Sequence, residues 1–277
     1  MTYKTILVHL DTQPRSSERL AFACQLAAQF DAHVVGLYAP GALYIPSYAL
    51  AEAGPAVREL IEKRAADNLR AAEQRFRDSA AKRGDARAEW RAADSDAALA
   101  LRLSARYADL VVAGQPQAGH ERGQAALADE LALSAGRPVL FIPYTGSFPA
   151  IGRRVLIAWD GGREAARAVG DALPLLRGAQ SVEVAVFDPP RAGGGHGAQP
   201  GADAALYLAR HGVKVTVHTQ SGAGYDVGAQ ILSRAADTSA DLIVMGAYGH
   251  ARVRELVLGG VTRTVLGAMT VPVLMSH

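Results

Sequence analysis

The chain has 277 residues, enough for two ordinary domains, and its 49% hydrophobic and 20% charged content is that of a globular protein. A net charge of +2 argues against a dedicated nucleic-acid binder, a single cysteine excludes an internal disulfide and suits a reducing compartment, and no apolar run is long enough to span a bilayer. Met1-Thr-Tyr-Lys-Thr-Ile-Leu-Val8 starts directly as a strand, with no signal-peptide pattern, so a cytoplasmic protein with no membrane and no nucleic-acid partner is expected.

In chain order, Lys4-Thr-Ile-Leu-Val-His-Leu-Asp11 is a short apolar run, rich in β-branched residues, that closes on an acid. This is the pattern of a strand buried on both faces of a parallel sheet. Ser17 to Phe30 is amphipathic and predicts a helix, with Cys24 on its apolar face. His33 to Pro40 predicts a second strand, followed by an apolar loop, Gly41 to Leu50, and a long charged helix over Ala56 to Arg83. The loop admits two readings: packing against the other half of the chain, or serving as a lid or partner surface. Ala108-Asp-Leu-Val-Val-Ala-Gly114 and Arg137-Pro-Val-Leu-Phe-Ile-Pro143 predict further strands, and Thr145-Gly-Ser-Phe-Pro-Ala150 is a turn-rich link.

Beyond the link the chain repeats itself. Arg154-Val-Leu-Ile-Ala-Trp-Asp160 echoes the first strand, Ser181 to Pro189 the second, Ala240-Asp-Leu-Ile-Val-Met-Gly246 the Ala-Asp-Leu strand, and Val271-Pro-Val-Leu-Met-Ser276 the last. Helical patterns cover Arg163 to Leu176 and Val227 to Thr238, and Gly193 to Gly201 reads as a glycine-rich linker. Four matched segments in one order point to duplication, with domains at 1–147 and 151–277. The expected fold is α/β: two tandem doubly wound units, each a mainly parallel sheet of about five strands flanked by helices. From Asp11 to Asp109 is 98 positions and from Asp160 to Asp241 is 81, so the first half is longer by 17, between Pro40 and Gly84.

Ligands of such sheets lie beyond the carboxyl ends of the strands, where the strand order reverses. Asp160, Asp188 and Gly246 all fall at such ends. After Gly246 come Gly249, Gly259 and Gly260, the last two opening the next helix, so backbone N–H groups and a helix N-terminus face one place and suit a phosphate. No Gly-x4-Gly-Lys-Ser/Thr is present, and the first strands lead to Asp11-Thr-Gln-Pro and Asp160-Gly-Gly-Arg rather than to Gly-x-Gly-x-x-Gly.

What remains, Gly246-x2-Gly249-x9-Gly259-Gly260 after the fourth strand of a five-stranded repeat, resembles the universal stress protein family, whose nucleotide-binding members carry Gly-x2-Gly-x9-Gly-Ser/Thr. The strand ending in Asp160, the Ala-Asp-Leu-Ile-Val-Met-Gly strand and the closing Val271-Pro-Val-Leu274 strand are similar too, and both halves are covered, as in a tandem member. The resemblance implies that Asp160 contacts the nucleoside and that Gly246, Gly249 and Gly259 line the phosphates of ATP or another adenine nucleotide, with or without Mg2+. It also implies a stress-response role and pairing of final strands. Here that pairing makes either an intramolecular pseudo-dimer through Val139 to Pro143 and Val271 to Ser276, or a further homodimer. Gly260 departs from the family's Ser/Thr; Thr262 supplies a hydroxyl if the helix start shifts, and otherwise faces the core.

In the first half the positions matching Gly259 and Gly260 fall near Ala125 and Ala126, and Asp129 and Glu130 follow where a helix start should attract an anion. That half is expected to have lost nucleotide binding, with Asp11 as a helix cap. No catalytic group assembles: the eight histidines lack metal-ligand spacing and no serine sits in a nucleophile motif. A binding protein rather than an enzyme is expected, acting on a protein partner the sequence does not name. Its rivals are a slow ATPase with Asp160 holding Mg2+, and a scaffold acting through Pro40 to Leu50.

Overall fold

The computed structural model describes residues 2–40, 54–83, 87–93, 96–116, 122–189, 199–222, 224–249 and 260–277. The apolar loop at 41–50, most of the glycine-rich linker and Gly259 lie outside them. The first half runs β1 (Thr5–Leu10), α1 (Ser16–Phe30), β2 (His33–Tyr38), α2 (Pro55–Arg83), β3 (Ala88–Ala92), α3 (Ala97–Ala105), β4 (Leu110–Gly114), α4 (Arg122–Ser134) and β5 (Val139–Ile142). The second half runs β6 (Arg154–Ala158), α5 (Arg163–Leu176), β7 (Ser181–Phe187), α6 (Ala202–Arg210), β8 (Val215–Gln220), α7 (Val227–Asp237), β9 (Leu242–Gly246), α8 (Gly260–Ala268) and β10 (Val273–Ser276).

The strands make one ten-stranded sheet in the order β3-β2-β1-β4-β5-β10-β9-β6-β7-β8. Two five-stranded sets, one from each half, are present as expected, and their final strands join them into one sheet. Neighbours are parallel except β5 and β10, which pair antiparallel with Val273 opposite Phe141, Leu274 opposite Leu140 and Met275 opposite Val139. The reason is visible in the letters: all four residues of each of these strands are buried, so neither can serve as a solvated edge. The outer edges are instead β3 and β8, whose residues are only half-buried or exposed.

Side chains alternate across the pleat, so Ile6 and Val8 face one helical layer and Leu7 the other. The first layer is α1, α2, α5 and α6, through Leu20, Phe76, Val169 and Leu208; the second is α3, α4, α7 and α8, through Leu101, Leu131, Ile231 and Val265. Each core runs through both halves without a break. The extra length of the first half is helical: α2 has 29 residues where α6 has 9.

The repeated Ala-Asp-Leu segment has a structural reason. Asp109 accepts hydrogen bonds from the backbone N–H of Lys4 and Thr5 at 2.7 and 2.9 Å, and Asp241 accepts from those of Gly152 and Arg153 at 2.7 and 3.0 Å. Each carboxylate clamps the chain where its half of the sheet begins. Because Leu140 is fully buried at the seam, Leu140→Ala should cost ~2–5 kcal/mol. Urea denaturation should show both halves melting in a single, shifted transition; two separate transitions would mean that the seam does not couple them.

Candidate functional site

At the carboxyl end of β6 the chain passes Trp159, which packs on the core, and reaches Asp160, which is exposed. Asp160 Oδ1 accepts the backbone N–H of Gly162 at 2.8 Å, a local turn that Gly161 permits with φ 75° and that delivers the chain into α5. Glu164, in the first turn of α5, is buried, and Arg163 Nε donates to its Oε1 at 2.6 Å. Burial works to raise the Glu164 carboxyl, but the Arg163 hydrogen bond and the residue's own N–H outweigh it and hold its pKa below the ordinary value.

β9 ends beside this turn. A Cβ on Gly246 would lie 2.6 Å from the backbone nitrogen of Ala165 and 2.8 Å from the carbonyl carbon of Glu164. α5 thus presses on the strand end at Gly246, which by itself accounts for a glycine there. Tyr248 follows with φ 52°, and its N–H is accepted by Thr262 Oγ1 at 3.2 Å. Thr262 is buried in the first turn of α8 and braces the loop, so it does not stand in for the missing Ser/Thr. Gly249 comes next: a Cβ there would sit 3.5 Å from Asp160 Oδ2 and 3.7 Å from Glu164 Oε2. Gly260 opens α8, and among the described residues nothing lies within 4 Å of where its Cβ would be.

Two consecutive residues thus join two unlike surfaces. Gly249 faces a pair of carboxylate oxygens, which accept hydrogen bonds. Tyr248 is tied to a helix start whose first N–H groups lack intrahelical partners and donate. Asp188 is not brought to this pair. At φ 46° beyond β7, it accepts from the Gly222 N–H at 2.7 Å and from Gln230 Nε2 at 2.9 Å, bracing the turn between β8 and α7. Those bonds hold its carboxyl below the ordinary value.

The first half differs at the same place. Arg19, buried in α1, donates to the His9 carbonyl at 2.7 Å and pairs with Asp11 Oδ2 at 3.0 Å, its Nη1 lying against Gly114. Asp11 Oδ1 accepts the Gln13 N–H at 3.0 Å, and α1 has Arg15 at its cap position with no side-chain cap, so Asp11 is an ion-pair partner rather than the expected helix cap. Asp129 and Glu130 also differ from expectation. They lie well inside α4, where Asp129 accepts from the Tyr248 hydroxyl and from Arg263, and Glu130 pairs with Arg102. Glu164, Tyr248 and Arg19 are site residues that periodicity alone does not single out.

A cavity of about 1210 Å3 lies in this first half, reached by His9, Asp11, Arg19, Tyr38, Leu131 and Phe141. It is partly open to the surface and so accessible to solvent or a ligand. Among the described residues no three His, Cys, Asp or Glu are grouped to hold a metal ion, and no helix is long and apolar enough to cross a membrane.

An α/β protein whose strand-end loop joins paired carboxylates to a helix N-terminus is a candidate small-molecule binder. Comparison with known proteins gives the family: the model of the universal stress protein family matches residues 152–277. Residues 152–277 thus form a domain of the universal stress protein family. Universal stress protein Slr1230 of Synechocystis is 50% identical over 38 residues, a stretch covering 14% of this chain and 13% of that protein. A universal stress protein from Archaeoglobus fulgidus shares the fold over 98% of this chain and 95% of its own, with TM-score 0.72 and 15% identity. A functionally unknown protein of Pseudomonas aeruginosa, PA1789, does so over 99% and 92%, with TM-score 0.60 and 16% identity.

Two stability effects follow. Gly246→Ala should lower stability by ~1–3 kcal/mol in urea melts, because the methyl meets backbone rather than a side chain that can turn away. His9 is buried, and desolvation first, then Arg19, lowers its pKa below 6.5 against the opposing pull of Asp11. The unfolded chain therefore takes up this proton before the folded one. The stability from neutral His9 is complete above pH 6.5 and is lost as pH falls through the folded value. His9→Gln should flatten the decline of the urea midpoint just below pH 6.5; an unchanged slope would remove His9 from the account.

Proposed function

We propose that the chain is a tandem universal stress protein that acts by binding an adenine nucleotide, ATP first among them, at the second-half loop. The observation that carries this reading is the position of Gly249 beside the Asp160 and Glu164 oxygens, one residue from the Tyr248 tie to α8. Ribose hydroxyls suit the carboxylates, which accept; phosphates suit the N–H groups opening α8, which donate. Among the described residues nothing crowds Gly260, which suits an anion at that helix start. Mg2+, if bound, would be held by Asp160 and would supply positive charge that offsets the negative charge of the phosphates. The antiparallel pairing of β5 with β10 supports a pseudo-dimer within one chain, with stress-response signalling to a protein partner as its use and the cytoplasm as its place.

Calorimetric titration with ATP, AMP and adenosine, with and without Mg2+, tests the site. Hydrogen bonds to charged groups contribute about 1.5–3 kcal/mol, so Asp160→Ala should weaken ATP by about tenfold to a hundredfold. Gly260→Ser, which meets none of the described residues and restores a hydroxyl donor, should strengthen ATP by about tenfold. No heat at millimolar ATP, with Asp160→Ala matching the parent, would reject the nucleotide reading. Phosphate release that disappears in Asp160→Ala would replace binding with slow hydrolysis.

A further inference from the structure

We propose that the first-half cavity is a second ligand site, built for an uncharged, largely apolar small molecule that carries a hydrogen-bonding group. Its place is that of a ligand site: beyond the carboxyl ends of β1, β2, β4 and β5, at the reversal of strand order between β1 and β4. About 1210 Å3 exceeds the ~300–1,000 Å3 usual for small-molecule pockets.

The apolar part of the lining comes from separate elements. Tyr38, Ala113 and Phe141 line it from the sheet side, and Ala97 and Leu131 from α3 and α4. A further wall is α2, where Ile61, Ala65, Asn68 and Leu69 also line the cavity. These fall at i, i+4, i+7 and i+8, one face of a helix. Further along α2, Ala72 and Phe76 are buried in the core, so the helix is anchored at one stretch and presents its other stretch to the cavity.

Charge decides the ligand class. The described lining includes Arg15, Arg19 and Arg64 against Asp11, Glu18, Asp96 and Glu130, three positive charges against four negative. Arg19, the buried one, is engaged by Asp11 and the His9 carbonyl. A polyanion therefore finds no surplus positive charge here, and the Gly-x2-Gly loop of the second half has no counterpart. Tyr38 supplies the polar anchor: it is 5% exposed, lines the cavity and carries a hydroxyl that can donate or accept. Its ring stacks on Trp90, with centroids 6.0 Å apart, which places a fluorescent reporter behind the cavity wall.

Titration of the full chain with the uncharged dye N-phenyl-1-naphthylamine tests the site, reading tryptophan-to-dye energy transfer. One saturable site is expected, with transfer falling at least twofold in Trp90→Phe while affinity is retained. Ala65→Phe and Ile61→Gln change α2 residues that are not fully buried, and each should weaken the dye at least fivefold with the circular dichroism spectrum unchanged. Asp160→Ala and added ATP should leave dye binding unaltered, so failure of the nucleotide reading does not touch this one. Absence of saturable binding overturns the proposal. So does affinity within twofold of the parent in both α2 variants, competition by ATP, or tighter binding of the anionic counterpart 8-anilinonaphthalene-1-sulfonate.

Discussion

Everything in this molecule is arranged around the antiparallel contact between β5 and β10. Val139-Leu-Phe-Ile142 and Val273-Leu-Met-Ser276 are buried along their whole length, and either would be a long-lived aggregation edge if left unpaired. Joining them removes both edges at once and moves the true edges out to β3 and β8, where half-exposed and charged residues stand. It also merges each helical layer into one core, since Leu140 and Leu274 belong to the same buried cluster as Ile6 and Ile157. Ordering two five-stranded sets separately would leave that shared surface wet.

The seam also fixes polar contacts that neither half makes alone. Tyr3 donates its hydroxyl to the Asp171 carbonyl at 2.7 Å, and Gln115 donates to the Leu266 carbonyl at 2.9 Å, one of the last carbonyls of α8 and so without an intrahelical partner. Tyr248 reaches Asp129 on α4 from the same loop that carries Gly249. Burial, and then Asp129 itself, raises the Tyr248 pKa, so the phenol stays protonated and remains a donor. A loop that has φ 52° at a buried tyrosine is thus held from both sides, by Thr262 in its own half and by Asp129 in the other.

The two strand-order reversals have diverged by the placement of one cation. In the second half the strand-end carboxylate keeps Oδ2 facing Gly249, and Arg163, at the start of α5, is largely exposed and pairs with Glu164 instead. In the first half Arg19 is drawn inside and closes on Asp11, and burial, which would raise that carboxyl, is outweighed by Arg19 so that its pKa is lowered. A buried pair of this kind is expensive to open, because removing either member strands the other without water. One reversal therefore keeps, among the described residues, a carboxylate oxygen facing Gly249, and the other is internally neutralised and lined by the lengthened helix α2.

Most of the fold was legible because burial is written in the sequence as periodicity. Predicted helices over Ser17 to Phe30, Ala56 to Arg83, Arg163 to Leu176 and Val227 to Thr238 agree with α1, α2, α5 and α7 to within a residue. The site was legible only in part. Asp160 and Gly249 do meet, yet Asp188 sits at an equally strand-terminal position and turns to Gln230 instead. Position along a strand says where a side chain starts, not which donor reaches it first. Gly246 makes the same point about glycine. Its letter signals that something approaches closely, but a phosphate and the first turn of α5 leave the same mark, and only the 2.6 Å to the Ala165 nitrogen reveals the helix. Asp129 and Tyr248 are 119 residues apart, and nothing local to either names the other. Polar residues acquire their roles from tertiary neighbours, so a strand-end motif defines a fold and a candidate place, while the donors and acceptors that remain free there decide what can bind.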